Sequence, residues 1–497
     1  MSEVRNPARI NAATPFVSAD AVRAMFSRAM SDMYKFEAPQ YTALAELVAK
    51  VNRDALREAP ELEEELREAS EIGRLGVERH GAIRVGNAEE LSIVRRLFAV
   101  MGMVPVGYYD LSVAGIPVHS TAFRPIDDAA LRRNSFRVFT SLLRLDLIDD
   151  IELRREAAAI LARREIVTPR ARKLLDYFEK DGGFDEGAAR EFVTEAVETF
   201  RWRSQATVSA ELYRKFFAAH PLIADVACFN GPHINHLTLR ALDIDAAQCA
   251  MAARNMNPKA IVEGPPRRRR PILLRQTSFR ALPEPISFTE ADGSRAEGVH
   301  AARFGEIEQR GAALTAKGRS LYDRLLADAH AAAPLAADGS NAAAFVEELG
   351  RRFAAFPDDD ATLRAERLAF FRYSPTAEGV SHEGAAPPAS IEELLRAGLL
   401  RIQPIIYEDF LPVSAAGIFR SNLKEERRES YVERASRKAF EEAMGTEILD
   451  ELTLYQEAER SSLAAGLEVL GLDPAGAFTQ GSKSFGADIG VPANSHN

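Results

Sequence analysis

Two histidine–arginine pairs supply the residue types from which a metal site and an anion clamp can be built. His80 opens the segment HGAIRVGNAEE and His236 opens HLTLRALDIDAA, so each histidine is followed four places on by an arginine, Arg84 and Arg240. The correspondence continues as Thr121-Ala122-Phe123-Arg124 and Thr277-Ser278-Phe279-Arg280, and 43 residues separate histidine from phenylalanine in both copies. Neutral imidazole suits transition metals. The planar guanidinium fork suits a carboxylate. A duplicated unit with a histidine at the same point of each copy predicts that the copies meet at one shared site.

Both segments alternate like strands, and alternate side chains of a strand share a face. His80, Ala82 and Arg84 therefore point one way, with the Cα atoms of His80 and Arg84 about 13 Å apart at ~3.3 Å per residue. A small anion fits between an ion at the tip of His80 and a guanidinium leaning back from Arg84. His233 falls on the opposite face from His236, and the repeat phase also selects His236. In FGEIEQRG, Phe304, Glu306, Glu308 and Arg310 share a face. Two inward carboxylates are costly unless paired or metal-bound, so a third ligand is expected here, Glu306 by choice with Glu308 in reserve. The matching strand of copy one, FRVFTSLL, offers only Thr140 or Ser141. Two histidines and one carboxylate with open positions form the facial set of non-haem Fe(II) oxygenases, which lets a bidentate substrate and dioxygen bind together. A single histidine on a strand is more often structural. Repeat equivalence and the inward glutamates weigh against that here. The histidines at 119, 220, 300, 330, 382 and 496 lack such support, and of these only His119 lies in a strand-like segment near the site.

The elements that must position these residues follow from periodicity. Residues 1–75 read as a helical segment, with apolar residues at helical spacing over 18–57 and an acidic, solvated helix near 59–71. Residues 76–150 read as β-α-β-β-β and 151–230 as a helical connection. A second β-α-β-β-β spans 231–330, with the identity of one middle strand open. Residues 331–400 read as a helical and loop insertion, in which Ser390 and Glu393 form a capping box. Residues 401–420 read as a barrel strand and substrate loop, and 421–497 as a helical region with a loose tail. The fold class is α+β, with paired βαβββ modules forming a half-open barrel and many added helices.

Bulk properties narrow the function. The chain has 497 residues and a net charge of −10, which disfavours nucleic acid as a partner, since phosphate binding needs a basic face. The run Arg267–Arg270 reads either as a localisation or nucleic-acid patch or as a solvated loop before a strand, and the acidic balance favours the loop. Two cysteines, Cys228 and Cys249, form no disulfide framework and suggest a reducing cytoplasm. No signal peptide and no run of 18 apolar residues is seen, so no membrane partner is expected. GxGxxG, P-loop, HExxH and CxxC motifs are absent, which disfavours dinucleotide, nucleotide-triphosphate and zinc-protease chemistry.

Taken together, RHGAIRVG, NHLTLRAL, FGEIEQRG and FLPVSAAGIF resemble the 2-oxoadipate dioxygenase/decarboxylase family, also called hydroxyglutarate synthases, over roughly residues 20–470. The resemblance implies a vicinal-oxygen-chelate type fold and Fe(II) as cofactor. It implies a reaction of 2-oxoadipate with dioxygen: oxidative decarboxylation, then hydroxylation of the neighbouring carbon, giving 2-hydroxyglutarate and CO2 in lysine breakdown. By motif, His80, His236 and Glu306 would be iron ligands and Arg84 would hold a substrate carboxylate. Val413 and Ser414 in LPVSAAG would contribute to the substrate pocket through backbone groups. Competing expectations are another metalloenzyme of this fold, such as a 4-hydroxyphenylpyruvate-type dioxygenase or an isomerase, and a metal-free binding protein that kept the barrel.

Overall fold

The structure, a computed structural model, describes residues 16–68, 71–290, 292–336, 338–381, 390–411 and 426–474. Two compact units alternate along the chain: Met1–Glu263, Gln276–Gln309 and Phe410–Leu449 form one, and Gly264–Arg275, Arg310–Asp409 and Asp450–Asn497 the other.

In the first unit, the apolar periodicity of 18–57 resolves into two helices, Ala19–Glu37 and Pro39–Glu58. Pro39 lacks an N–H and so opens a new helix instead of continuing the old one. Copy one follows as β1 (His80–Val85), the helix Ala88–Val100, β2 (Val104–Asp110), β3 (Val118–Arg124) and β4 (Arg137–Leu143). Its helix starts where the Asn87 side chain accepts from the Glu90 N–H at 2.9 Å, a standard N-cap. Copy two runs β5 (His236–Arg240), the helix Ile244–Ala253, β6 (Leu274–Ser278), β7 (Glu284–Thr289), β8 (Arg295–His300) and β9 (Phe304–Arg310). Seven strands form one sheet in the order β2-β3-β4-β1-β5-β9-β6, curled into a half-barrel. The chain is thus a mixed α+β fold with two related modules side by side.

The second module departs from the expected pattern twice. Residues near 258–263 lie beside β6, where β2 lies beside β3, but only isolated bridges hold them, Pro258 to Phe279 and Glu263 to Gln276. Asn255 and Asn257 take positive φ and Pro258 withholds an N–H, so no continuous ladder forms. The hairpin β7–β8 was not expected. It stands outside the main sheet as a two-stranded pair, turning at Asp292-Gly293 with Gly293 at φ 82°.

The back of the site strands is tightly packed. A Cβ on Gly305 would stand 2.6 Å from Phe279 Cε1, 2.8 Å from Leu44 Cδ2 and 2.9 Å from Tyr41 Cδ2. Both Leu44 and Tyr41 come from the helix Pro39–Glu58. Gly305→Val should therefore destabilise the chain by about 1–3 kcal/mol through overpacking. The measurement is a lowered urea midpoint at unchanged slope; an unmoved midpoint would show that this wall yields.

In the second unit, β10 (Phe371–Pro375) pairs antiparallel with β11 (Leu400–Pro404). The helix Glu451–Val469 packs on β10, where Glu459 and Ser462 accept from the Phe371 and Tyr373 N–H groups. Residues 401–408, expected as a barrel strand, instead begin in β11, which is separate from the seven-stranded sheet and ends at Pro404. Pro lacks the N–H that would extend the ladder. Ser390 caps the helix Ile391–Arg396 through the Glu393 N–H. The arginine run is a loop before β6, but it is not simply solvated. The Arg268 side chain is covered and donates to the Phe356 and Pro357 carbonyls, and Asp358 accepts from the backbone N–H groups of Arg269 and Arg270. Among the described residues no helix is long and apolar enough to cross a membrane.

Candidate metal centre

The antiparallel join of β1 to β5 sets the site. His80 lies opposite Thr238 and Ala82 opposite His236, with the pair Gly81–Leu237 between them. A local two-fold through that middle pair exchanges the two histidines, which is the sequence repeat expressed as geometry. Residues paired across a ladder share a face, so His80, Ala82, Arg84, His236, Thr238 and Arg240 all point one way. β9 runs parallel to β5 and sets Glu306 opposite Thr238 and Glu308 opposite Arg240, adding both glutamates to that face.

His80, His236 and Glu306 each present one donor atom, and the three atoms lie within 4.8 Å of one another. His80 Nε2 is 3.1 Å and His236 Nε2 3.8 Å from Glu306 Oε1. The Thr238 hydroxyl donates to Glu306 Oε1 at 3.0 Å and also lies 3.0 Å from His80 Nε2. Burial presses the His236 imidazole down to about 3 against the attraction of Glu306, with His80, Arg84 and Lys259 acting in the same direction as burial. Burial pushes the Glu306 carboxyl up, but His236, His80 and Lys259 outweigh it and hold it at about 2. An unprotonated imidazole nitrogen and an ionised carboxylate are the forms that bind metal. The Nδ1 of His236 is buried with no hydrogen-bond partner among the described residues. Two imidazoles and one carboxylate fit a first-row divalent metal.

The two inward glutamates do different things. Glu306 faces the histidine Nε2 atoms. Glu308 sits behind His80, with Oε2 2.9 Å from His80 Nδ1 and Oε1 3.6 Å from Arg79 Nε. A carboxylate on the far nitrogen of a ligating imidazole is the usual way to orient it. The two repeat arginines each meet an acid from outside their own module: Arg84 Nη1 donates to Asp225 Oδ2 at 2.6 Å, and Arg240 pairs with Glu71. Aromatic rings flank both histidines. Phe410 stands edge-on to His80 at 4.8 Å and Phe304 stacks on His236 at 4.6 Å. The Phe410 N–H donates to the Tyr109 hydroxyl at 3.2 Å.

Of the residues singled out by sequence, the structure thus brings His80, His236 and Glu306 together and puts Arg84 on the same strand face. Val413 and Ser414 lie outside the described residues. His119 joins no metal cluster among the described residues; it meets the Tyr108 hydroxyl and the Phe440 ring, and burial, helped by Arg144, brings it down to about 4. Sequence reasoning passed over Arg79, Thr238, Phe410 and Asp225. Arg79, Thr238 and Phe410 lie within RHGAIRVG, NHLTLRAL and FLPVSAAGIF, while Asp225 lies in a helical stretch with no pattern pointing to the site.

Comparison with known proteins identifies the family. The sequence profile of the 2-oxoadipate dioxygenase/decarboxylase family matches residues 26–422. The 2-oxoadipate dioxygenase/decarboxylase of Pseudomonas putida is 54% identical over 461 residues, covering 93% of this chain and 99% of its own. That of Escherichia coli is 55% identical over 453 residues, covering 91% and 99%. The crystal structure of the hydroxyglutarate synthase from Pseudomonas putida in complex with 2-oxoadipate matches with a TM-score of 0.84 at 53% identity, over 92% of this chain and 99% of that one. With its paired modules and its two histidines and glutamate on one strand face, the chain belongs to the 2-oxoadipate dioxygenase/decarboxylase family.

Proposed function

We propose that this chain is an Fe(II)-dependent dioxygenase that converts 2-oxoadipate and O2 to 2-hydroxyglutarate and CO2, in the cytoplasm and as a step of lysine catabolism. One observation carries the reading: His80, His236 and Glu306 converge to within 4.8 Å on the strand face that also bears Arg84. The atoms balance, since one oxygen of O2 ends in the new carboxylate and the other in the hydroxyl on the adjacent carbon.

His80, His236 and Glu306 would hold the iron. A bound Fe(II) would supply a Lewis-acid anchor for the 2-oxo acid and the one-electron chemistry that dioxygen requires. The chain's own residues do the rest. Arg84 binds a substrate carboxylate with its guanidinium and so sets the accepted length of the diacid. Thr238 holds Glu306 in place through its hydroxyl. Phe410 and Phe304 exclude water around the histidines, which strengthens the electrostatic contacts made there. Val413 and Ser414 complete the substrate pocket in this reading, and Glu308 orients His80.

The test is anaerobic Fe(II) loading followed by oxygen uptake with a panel of 2-oxo acids. Uptake stoichiometric with 2-oxoadipate is expected. An isomerase would consume no oxygen, an aromatic-specific dioxygenase would ignore 2-oxoadipate, and a metal-free binding protein would retain no iron. Glu308→Gln should leave all three ligands in place yet weaken iron affinity roughly 10- to 100-fold, the usual cost of disturbing a partner of a metal ligand. Titration with a competing chelator measures this, and unchanged affinity would show that Glu308 serves only Arg79.

A further inference from the structure

Arg84 is anchored from behind by an acid that belongs to none of the motifs. Asp225 lies in the helix Pro221–Ala227 and is buried. Its Oδ2 accepts from Arg84 Nη1 at 2.6 Å and from Asn235 Nδ2 at 3.3 Å. Its Oδ1 lies 2.9 Å from His300 Nε2 and 3.1 Å from His233 Nε2. His300 is itself fixed, since its Nδ1 meets the Tyr213 hydroxyl at 2.9 Å and the Trp202 ring lies over it at 9° to its plane. The Trp202 ring also stands edge-on to His233 at 4.6 Å. The carboxylate is therefore held by the end of β8, the segment before β5 and its own helix, and it reaches one residue of β1.

The two partners differ in exposure. The Arg84 side chain is 27% exposed while that of Asp225 is 4%. A buried ion pair is a weak device for stability. It is an effective device for orientation, because a free arginine side chain carries rotamer freedom that binding must otherwise remove. We propose that Asp225, held by His300, His233 and Asn235, is the positioning residue for Arg84, presetting its guanidinium for the far carboxylate of a 2-oxo diacid. The proposal rests on the reading of Arg84 as the substrate clamp. It gives the hairpin β7–β8 a purpose, since His300 closes that hairpin.

The experiment uses the Fe(II)-loaded full chain and measures oxygen uptake against 2-oxoadipate concentration. In Asp225→Asn, KM should rise about tenfold, the scale of one side chain that must be ordered on binding, while kcat stays within about twofold and iron content is unchanged. The double variant Arg84→Ala, Asp225→Asn should be no worse than Arg84→Ala alone, because residues acting through one contact are not additive. An unchanged or lowered KM in Asp225→Asn overturns the proposal, the lowered value showing that Asp225 competes with substrate. Additive losses in the double variant overturn it as well. Should Asp225→Asn fail to fold, His300→Phe decides: a raised KM at preserved kcat supports the proposal and an unmoved KM overturns it. A wild-type KM in Arg84→Ala would instead remove the clamp reading beneath it. A defective Arg84→Ala beside a normal Asp225→Asn would remove this proposal alone.

Discussion

His236→Ala is expected to fold, to bind well under one iron per chain and to lose turnover of 2-oxoadipate by more than about a hundredfold. The magnitude follows from the roughly 10- to 100-fold cost of disturbing an outer partner of a metal ligand, which direct removal of a donor should exceed. The expectation of folding follows from the contacts of the ring. His236 Nδ1 has no hydrogen-bond partner among the described residues, and the ring's close neighbours are His80, Phe304 and the Glu306 carboxylate. Removing it breaks no hydrogen bond that the strand needs. Elemental analysis of the purified variant checks the ligand assignment, and far-ultraviolet circular dichroism checks the fold. Full iron occupancy in a folded variant would sink the assignment of His236, and with it the shared site.

Arg84→Ala is the second large effect, and it should differ in kind. Iron content should remain that of the parent, because Arg84 is not among the converging donors. The loss should fall on substrate. Removing the cation that meets a substrate carboxylate in a hydrogen-bonded charge pair costs about 2–4 kcal/mol, which is roughly 30- to 700-fold in kcat/KM. The Asp225 carboxylate left without its cation costs stability and not turnover, because it lacks its partner with and without substrate. Discrimination between 2-oxoadipate and the shorter 2-oxoglutarate should shrink, since the residue that measures length is gone. Steady-state oxygen uptake with both acids reads the effect. Unaltered discrimination at unaltered kcat/KM would place the length-determining contact elsewhere.

How far these residues could be read from sequence depends on how each is held. His80, His236 and Glu306 lie on regular strands, where a period of two fixes the face and the repeat fixes the register. The strand pattern therefore carried the fold class, the two histidines and the pair of inward glutamates, while the choice of Glu306 over Glu308 needed the family resemblance. Asp225 reaches Arg84 from a seven-residue helix 141 positions away, and His300 reaches Asp225 from a hairpin outside the main sheet. No local period links such residues, so neither signalled its partner. The hairpin itself did leave a trace, because Asp292-Gly293 between two alternating runs is a turn signal. The irregular segment near 258–263 left none, as its positive-φ asparagines and its proline break any period. Residues 401–408 show the opposite failure. Their composition is strand-like, but composition does not say which sheet a strand joins.

The seam between the two modules has a consequence for how the chain holds together. β1 and β5 meet at only three paired positions, whereas β1 meets β4 at six and β5 meets β9 at five. The narrowest join in this stretch of the sheet is also where His80 from one module faces His236 and Glu306 from the other. An ion bound there would act as a rivet between halves that share little backbone pairing. Because neither half alone offers the full donor set, the free energy of metal binding would be available only to the assembled sheet. Loss of iron would then do more than stop turnover: it would loosen the chain along the line of its own duplication.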